Sequence, residues 1–156
     1  MTAFHYRAAL DVCRRHADRL AWALQTLKAT FPLTPSKLRA LSDADHAVID
    51  QFILRFSKLQ DAMGARLFPA LLDLLQEPGE LETFIDKLNR LEKLGAIGSA
   101  DDWQKFREMR NQFAHDYPDD PELQTSLLNK GYALAIELIA SLERTESFGD
   151  RYSEKG

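Results

Sequence analysis

One stretch of the chain combines residue types that do chemistry with a spacing that gathers them. Trp103, Phe106, Arg110, Phe113 and Tyr117 follow one another by three, four, three and four positions, so on a helix they share one face. Four are aromatic and the fifth is a guanidinium. An unpaired charge in an apolar stripe is costly, so Arg110 must find a partner, snorkel to solvent or stack on a ring. Packing alone accounts for such an arginine. His115 goes beyond packing. Five positions along a straight helix correspond to about 140° of rotation, so Arg110 and His115 point to different sides. They meet if two copies of the helix face each other across a dimer, or if the last turn bends. Tyr117 returns to the Arg110 face, next to Pro118, where proline is expected to end the helix.

The other reactive residues form weaker patterns. Asp43, Asp45, His46 and Asp50 cluster, with His46 and Asp50 four positions apart. A metal site is one reading. A helix cap with a solvated pair is the commoner origin of such a cluster. His5 and His16 have no partner pattern and read as surface or packing residues. Cys13 is the sole cysteine, which excludes an internal disulfide and a thiolate metal cluster. It falls in an apolar stripe and reads as a small core residue. There is no Gly-rich phosphate loop, HExxH or CxxC, and no nucleotidyltransferase-like Gly-Ser motif with paired carboxylates.

The elements that must position these residues read as about five helices in an antiparallel bundle, an all-α fold. Leu10, Cys13, Ala17, Leu20, Leu24, Leu27 and Phe31 form the first stripe, and Arg14, Arg15, Asp18 and Arg19 fall off it. Pro32 and Pro35 stop this helix, and residues 31–41 read as a loop. Ser42 or Asp43 caps the second helix, whose stripe is Ile49, Phe52, Phe56, Leu59 and Met63, widened by Ile53 and Leu67. Pro69 is expected to kink or break it, and Pro78-Gly79 to end it. A third helix is expected from about Glu80 to Leu94, with Gly95 as its stop. Ser99 with Asp102 resembles a cap for the fourth. Asp119-Asp120-Pro121 opens a fifth that carries Leu127, Leu128, Leu134, Ile136, Leu138, Ile139 and Leu142. The domain is expected to span residues 1–146, with a polar tail, 147–156, that frays.

Composition agrees with one folded domain. The chain has 156 residues, of which 45% are hydrophobic and 28% charged, and disorder needs fewer apolar residues than that. No apolar run approaches the ~18 residues of a membrane span, and the first ten residues lack a signal-peptide core. A cytoplasmic location is the expectation. The net charge of −4 argues against a broad nucleic-acid-coating face. Any RNA chemistry needs its positive charge concentrated locally. Asp116, Asp119, Asp120 and Glu122 crowd the downstream side of the aromatic stripe, and Arg90, Lys105 and Arg107 are the candidates to offset them.

The segment Arg110-Asn111-Gln112-Phe113-Ala114-His115-Asp116-Tyr117 reads as arginine, four residues, histidine, one residue, tyrosine. It resembles the motif of HepT-like toxins of the HEPN superfamily, from toxin–antitoxin pairs of the MntA–HepT (HEPN/MNT) type. A polar residue after the arginine, here Asn111, also fits that family. The setting matches too: a late helix, a turn, and a final long helix in an all-helical chain.

The resemblance implies a homodimer whose two motifs line a shared cleft, and a metal-independent endoribonuclease without a cofactor. It implies an MNT-type nucleotidyltransferase antitoxin that transfers AMP to Tyr117 and silences the enzyme. Arg110 would bind the scissile phosphate through its planar fork. His115 would act as base on the ribose 2′-hydroxyl or as acid to the leaving oxygen, since an ordinary imidazole titrates near ~6.5. Asn111 would orient the phosphate or His115. Two other expectations stand beside this one. A related bundle serves as the non-catalytic, substrate-presenting partner of a nucleotidyltransferase, and a purely structural bundle carries the motif by coincidence.

Overall fold

The computed structural model describes residues 1–76, 83–115 and 119–153. The first apolar stripe winds into α1 (Thr2–Leu27), and Leu10, Cys13, Ala17, Leu20, Leu24 and Leu27 are all buried while Arg14, Arg15, Asp18 and Arg19 are exposed. Phe31 lies beyond the helix and stacks on Tyr132, with ring centroids 4.6 Å apart. The expected loop over 31–41 contains a short helix, α2 (Pro35–Arg39). The Thr34 hydroxyl accepts from the Lys37 amide at 3.1 Å and Pro35 sits in the first turn, where its missing N–H costs nothing.

The second stripe becomes α3 (Asp43–Ala62). Ser42 caps it by accepting from the Asp45 amide, and Asp43 and Asp45 lie at the positive end of the helix dipole. The bland reading of the acidic cluster therefore holds at its start. Pro69 acts upstream as well as locally. It lies in the first turn of α4 (Phe68–Leu74), and the five residues before, Met63–Leu67, form a π turn in which the Phe68 amide donates to the Met63 carbonyl. The wide turn joins α3 to α4 without breaking the chain of hydrogen bonds.

Thr83 accepts from the Asp86 amide and caps α5 (Phe84–Leu94), so that helix begins at Phe84 rather than near Glu80. Pro78 and Gly79 lie outside the described residues. Gly95 closes α5 with φ of 89°, a left-handed conformation that glycine adopts without steric cost. α6 (Ala100–Phe113) and α7 (Pro121–Ser153) complete the bundle. The Asp120 carboxylate accepts from the Leu123 amide at 3.2 Å, and Pro121 occupies the first turn of α7.

The expected fraying after Glu146 does not occur over residues 147–153. α7 continues to Ser153 and buries Thr145, Phe148, Gly149 and Ser153. The Arg7 guanidinium donates to the Ser153 carbonyl at 3.0 Å, the Tyr6 hydroxyl donates to the Glu146 carbonyl at 3.4 Å, and Arg14 pairs with the Glu146 carboxylate. α1 lies at the centre of the fold, packed most extensively on α3 and also on α4 and α7. Cys13 is fully buried there, and burial pushes its thiol up to about 12, so it stays protonated and inert at neutral pH. Among the described residues there is no strand, and no helix is long and apolar enough to cross a membrane.

Candidate functional site at the end of helix α6

α6 is built to hold its last turn firmly. The Ser99 hydroxyl accepts from the Asp102 amide at 3.2 Å, which sets the start. Trp103, Phe106 and Met109 are buried. The Trp103 ring meets Phe68 and Phe106 edge-on, with centroids 4.7 and 5.9 Å apart. Phe113, the last residue of the helix, is edge-on to Phe52 at 5.7 Å and Phe56 at 5.5 Å. These contacts confirm the aromatic face as core from Trp103 to Phe113.

Arg110 belongs to that stripe by spacing but not by environment. Its Nε donates to Asp61 Oδ1 at 3.0 Å and its Nη2 donates to Asp61 Oδ2 at 3.1 Å. This is the fork-to-carboxylate geometry that makes two parallel charge-assisted bonds. Those hydrogen bonds, and the Asp61 charge behind them, raise the Arg110 pKa further above its already high ordinary value. The pair is open to solvent, with side chains 35% and 46% exposed, so it contributes only about 0–1 kcal/mol to stability. Asp61→Ala is therefore expected to unfold within about 1 kcal/mol of the wild type, a small change that denaturant titration would check. The demand that Arg110 find a partner is met by a carboxylate, and neither a ring nor solvent alone serves it.

The helix ends earlier than Pro118 suggests. Ala114 donates its amide to the Arg110 and Asn111 carbonyls, and His115 donates its amide to the Gln112 carbonyl at 3.2 Å, so the α-helix closes at Phe113. His115 thus lies past the last helical turn, and the rotation of a straight helix does not fix its direction. The bend alone does not bring the two groups into contact. Among the described residues, no hydrogen bond or ion pair joins Arg110 to His115.

The two side chains line adjacent hollows instead. Arg110 borders one of about 370 Å³ with Asp50, Leu54, Lys58 and Asp61. His115 borders another of about 390 Å³ with His46, Gln124 and an apolar floor that includes Phe113. Ile53 contributes to both and forms the wall between them. His115, His46 and Asn111 are all exposed. Tyr117, with its neighbours Asp116 and Pro118, lies outside the described residues.

No family model, curated protein or solved structure matches this chain.

The charge distribution corrects one expectation. Lys105 pairs with Asp102 at 3.5 Å, and the Arg107 guanidinium lies over the Phe84 ring, 5.7 Å from its centroid. Neither serves the end of α6. Lys58 lines the hollow beside Arg110. Asp61 and His46 are the other residues missed. The only sequence signal for Asp61 was the requirement that Arg110 be paired, and that does not say by which of many carboxylates. His46 was visible as part of an acidic cluster. Its nearness to His115 depends on how α3 docks on α6 and α7. Among the described residues, no group of three or more His, Cys, Asp or Glu is arranged to hold a metal ion.

Proposed function

We propose that this protein is a HepT-like endoribonuclease that cleaves RNA by attack of a ribose 2′-hydroxyl on the adjacent phosphate. The single observation that carries the reading is that two imidazoles, His46 and His115, line one hollow, with the Arg110 guanidinium in the next. The reaction needs that set of groups. One imidazole takes the proton as the 2′-oxygen forms its bond to phosphorus. The other gives a proton to the 5′-oxygen as its bond to phosphorus breaks. A guanidinium stabilises the charge that gathers on the non-bridging oxygens between these events. Asn111, exposed one residue beyond Arg110, is suited to orient the phosphate. A second copy of the chain facing this surface would cover Leu54, which is 46% exposed beside Arg110, and would form the shared cleft of a homodimer.

Asp61 then acts as an internal stand-in for the substrate phosphate. Its two oxygens occupy the fork that a phosphate would take, so RNA must displace it. Removing the carboxylate removes both a competitor and a like charge. Asp61→Ala is expected to bind RNA more tightly than the wild type, measured with a non-cleavable oligonucleotide. Unchanged or weaker binding would remove Arg110 from the phosphate-binding role.

The test of the function is cleavage of an RNA pool by the purified protein in EDTA, read by the ends produced. Cyclic 2′,3′-phosphate ends are expected. Silencing by AMP transfer to Tyr117 from an MNT-type nucleotidyltransferase antitoxin belongs to the same proposal and is read by intact mass after co-expression. A second reading is favoured by the same Asp61 contact: if the fork stays closed, the bundle is a non-catalytic partner that presents substrate to a nucleotidyltransferase. Absence of cleavage, with Tyr117 shown to be unmodified, would select it.

A further inference from the structure

Among the described residues, a concentration of positive charge lies away from the end of α6. Arg15 and Arg19 on α1 and Arg55 on α3 border a hollow of about 630 Å³, with His16 and Trp22. Asp18 is the acidic side chain on its rim, so three guanidiniums face one carboxylate. Among the described residues, none of the three guanidiniums forms an ion pair. Arg55 is the inner member. Its Nη1 lies 3.0 Å from His16 Nδ1, while its Nε is buried and has no hydrogen-bond partner. Burial and the neighbouring charges of Arg55, Lys58 and Arg15 hold the His16 pKa below its ordinary value. The imidazole is therefore neutral near neutral pH, and its Nδ1 accepts from Arg55. The hollow keeps three guanidiniums together with a single carboxylate, Asp18, to offset them. Trp22, 54% exposed, offers a flat aromatic surface at the same rim.

This hollow is also linked to the candidate site. Lys58 lies one turn after Arg55 on α3, its charge reaches His16, and its side chain lines the Arg110 hollow. Cations thus run from the Arg15 and Arg19 end of the groove through Arg55 and Lys58 to Arg110. We propose that the α1–α3 groove is a docking track for single-stranded RNA, with phosphates on Arg15, Arg19 and Arg55 and a base stacked on Trp22. The partner is chosen by complementarity. Three guanidiniums against one carboxylate suit a polyanion, and an exposed tryptophan among cations suits an unpaired base. The groove also reconciles an acidic chain with an RNA substrate, because it concentrates charge where net charge does not reveal it. The inference rests on the RNA-cleavage reading for the identity of the polymer.

Its test uses the full chain and a short 2′-O-methyl oligoribonucleotide, which has no free 2′-hydroxyl and cannot be cut by the proposed route. Binding is followed as a function of salt. The double variant Arg15→Ala, Arg19→Ala is expected to reduce the slope of log affinity against log salt by about 1.4, because each phosphate contact on a single strand contributes about 0.7. Trp22→Ala is expected to weaken binding about tenfold, and Trp22→Tyr to restore most of it. All three side chains are exposed, so the fold should survive, and circular dichroism checks that. Wild-type affinity and slope in these variants would overturn the proposal. So would weakened binding accompanied by a fall from dimer to monomer in light scattering, which would make the groove a contact between copies. Binding of the oligonucleotide is separate from cleavage. A protein that binds through the groove but cuts no RNA would sink the enzyme and keep the track. One that cuts RNA with the groove variants unaffected would do the reverse.

Discussion

Replacing His115 by alanine is expected to slow RNA cleavage by about a hundred- to ten-thousand-fold, the range associated with loss of a positioned acid or base. His115 is exposed and lies beyond the last turn of α6, so its removal leaves the Trp103, Phe106 and Phe113 packing intact. The loss should appear in the rate at saturating RNA, with affinity for a non-cleavable strand little changed. His46→Ala is expected to show a comparable loss, because each imidazole handles one of the two proton transfers. The double variant should then fall little further than either single one, as for groups that act as a unit. Arg110→Ala should differ by weakening RNA binding as well as the rate, since the guanidinium is assigned to the phosphate. Wild-type rates in His115→Ala would point to a different site. A loss in His115→Ala with wild-type rates in His46→Ala would confine the second proton transfer to a partner subunit or to water.

The other large effect concerns stability. Gly149→Ala is expected to lower the unfolding free energy by about 2 kcal/mol, within the range for overpacking a filled site. A Cβ at position 149 would run into the Tyr6 ring and hydroxyl, and Tyr6 is fully buried. In an exposed helix the same change would stabilise by up to about 1 kcal/mol, because alanine is the better helix former. The sign therefore distinguishes a docked C-terminal helix from a frayed one. At about 2–4 °C per kcal/mol for a chain of this size, the thermal midpoint should drop by about 4–8 °C. An unchanged or raised midpoint would detach residues 147–153 from the core.

Much of the bundle was legible because its signals are local. Ser42, Ser99 and Asp120 cap helices in the way their side chains allow, and the stripes of α1 and α3 fall on the buried faces that their spacing assigns. Two further caps carry equally short-range signals. Thr34 before Pro35 is a cap followed by a first-turn proline, and Thr83 with Asp86 is a cap like Ser99 with Asp102. The end of α7 is less legible for a different reason. Its stripe continues through Phe148, but the other members, Thr145, Gly149 and Ser153, are residues that hydropathy counts as weak or polar. They are buried because they are small or hydrogen-bonded: the Thr145 hydroxyl donates to the Ala96 carbonyl at 3.1 Å, and Gly149 makes room for Tyr6. At the candidate site, Arg110 and His115 were recognisable by type and spacing. Asp61 was not, and His46 was recognisable only within its own acidic cluster, because the approach of both to the end of α6 is a product of tertiary docking. Arg110 and Asp61 are 49 positions apart.

The attachment of α7 to the start of the chain has a kinetic consequence. Asn129 grips Leu33 from both sides, accepting from its amide at 2.7 Å and donating to its carbonyl at 2.9 Å, and the Tyr132 hydroxyl donates to the Leu24 carbonyl at 2.8 Å. With the Tyr6 and Arg7 contacts, these bonds span separations of 96 to 146 residues. The α1–α3 pairing closes a far shorter loop. Long closures lose more chain entropy before any contact repays it, so the α1–α3 hairpin should assemble first and α7 should dock onto it late. If so, pulsed hydrogen exchange during refolding would protect the amides of α1 and α3 before those of α7. Simultaneous protection would mean that the bundle condenses as one unit. Late docking would leave a nascent chain with its central helix half covered until the final helix emerges.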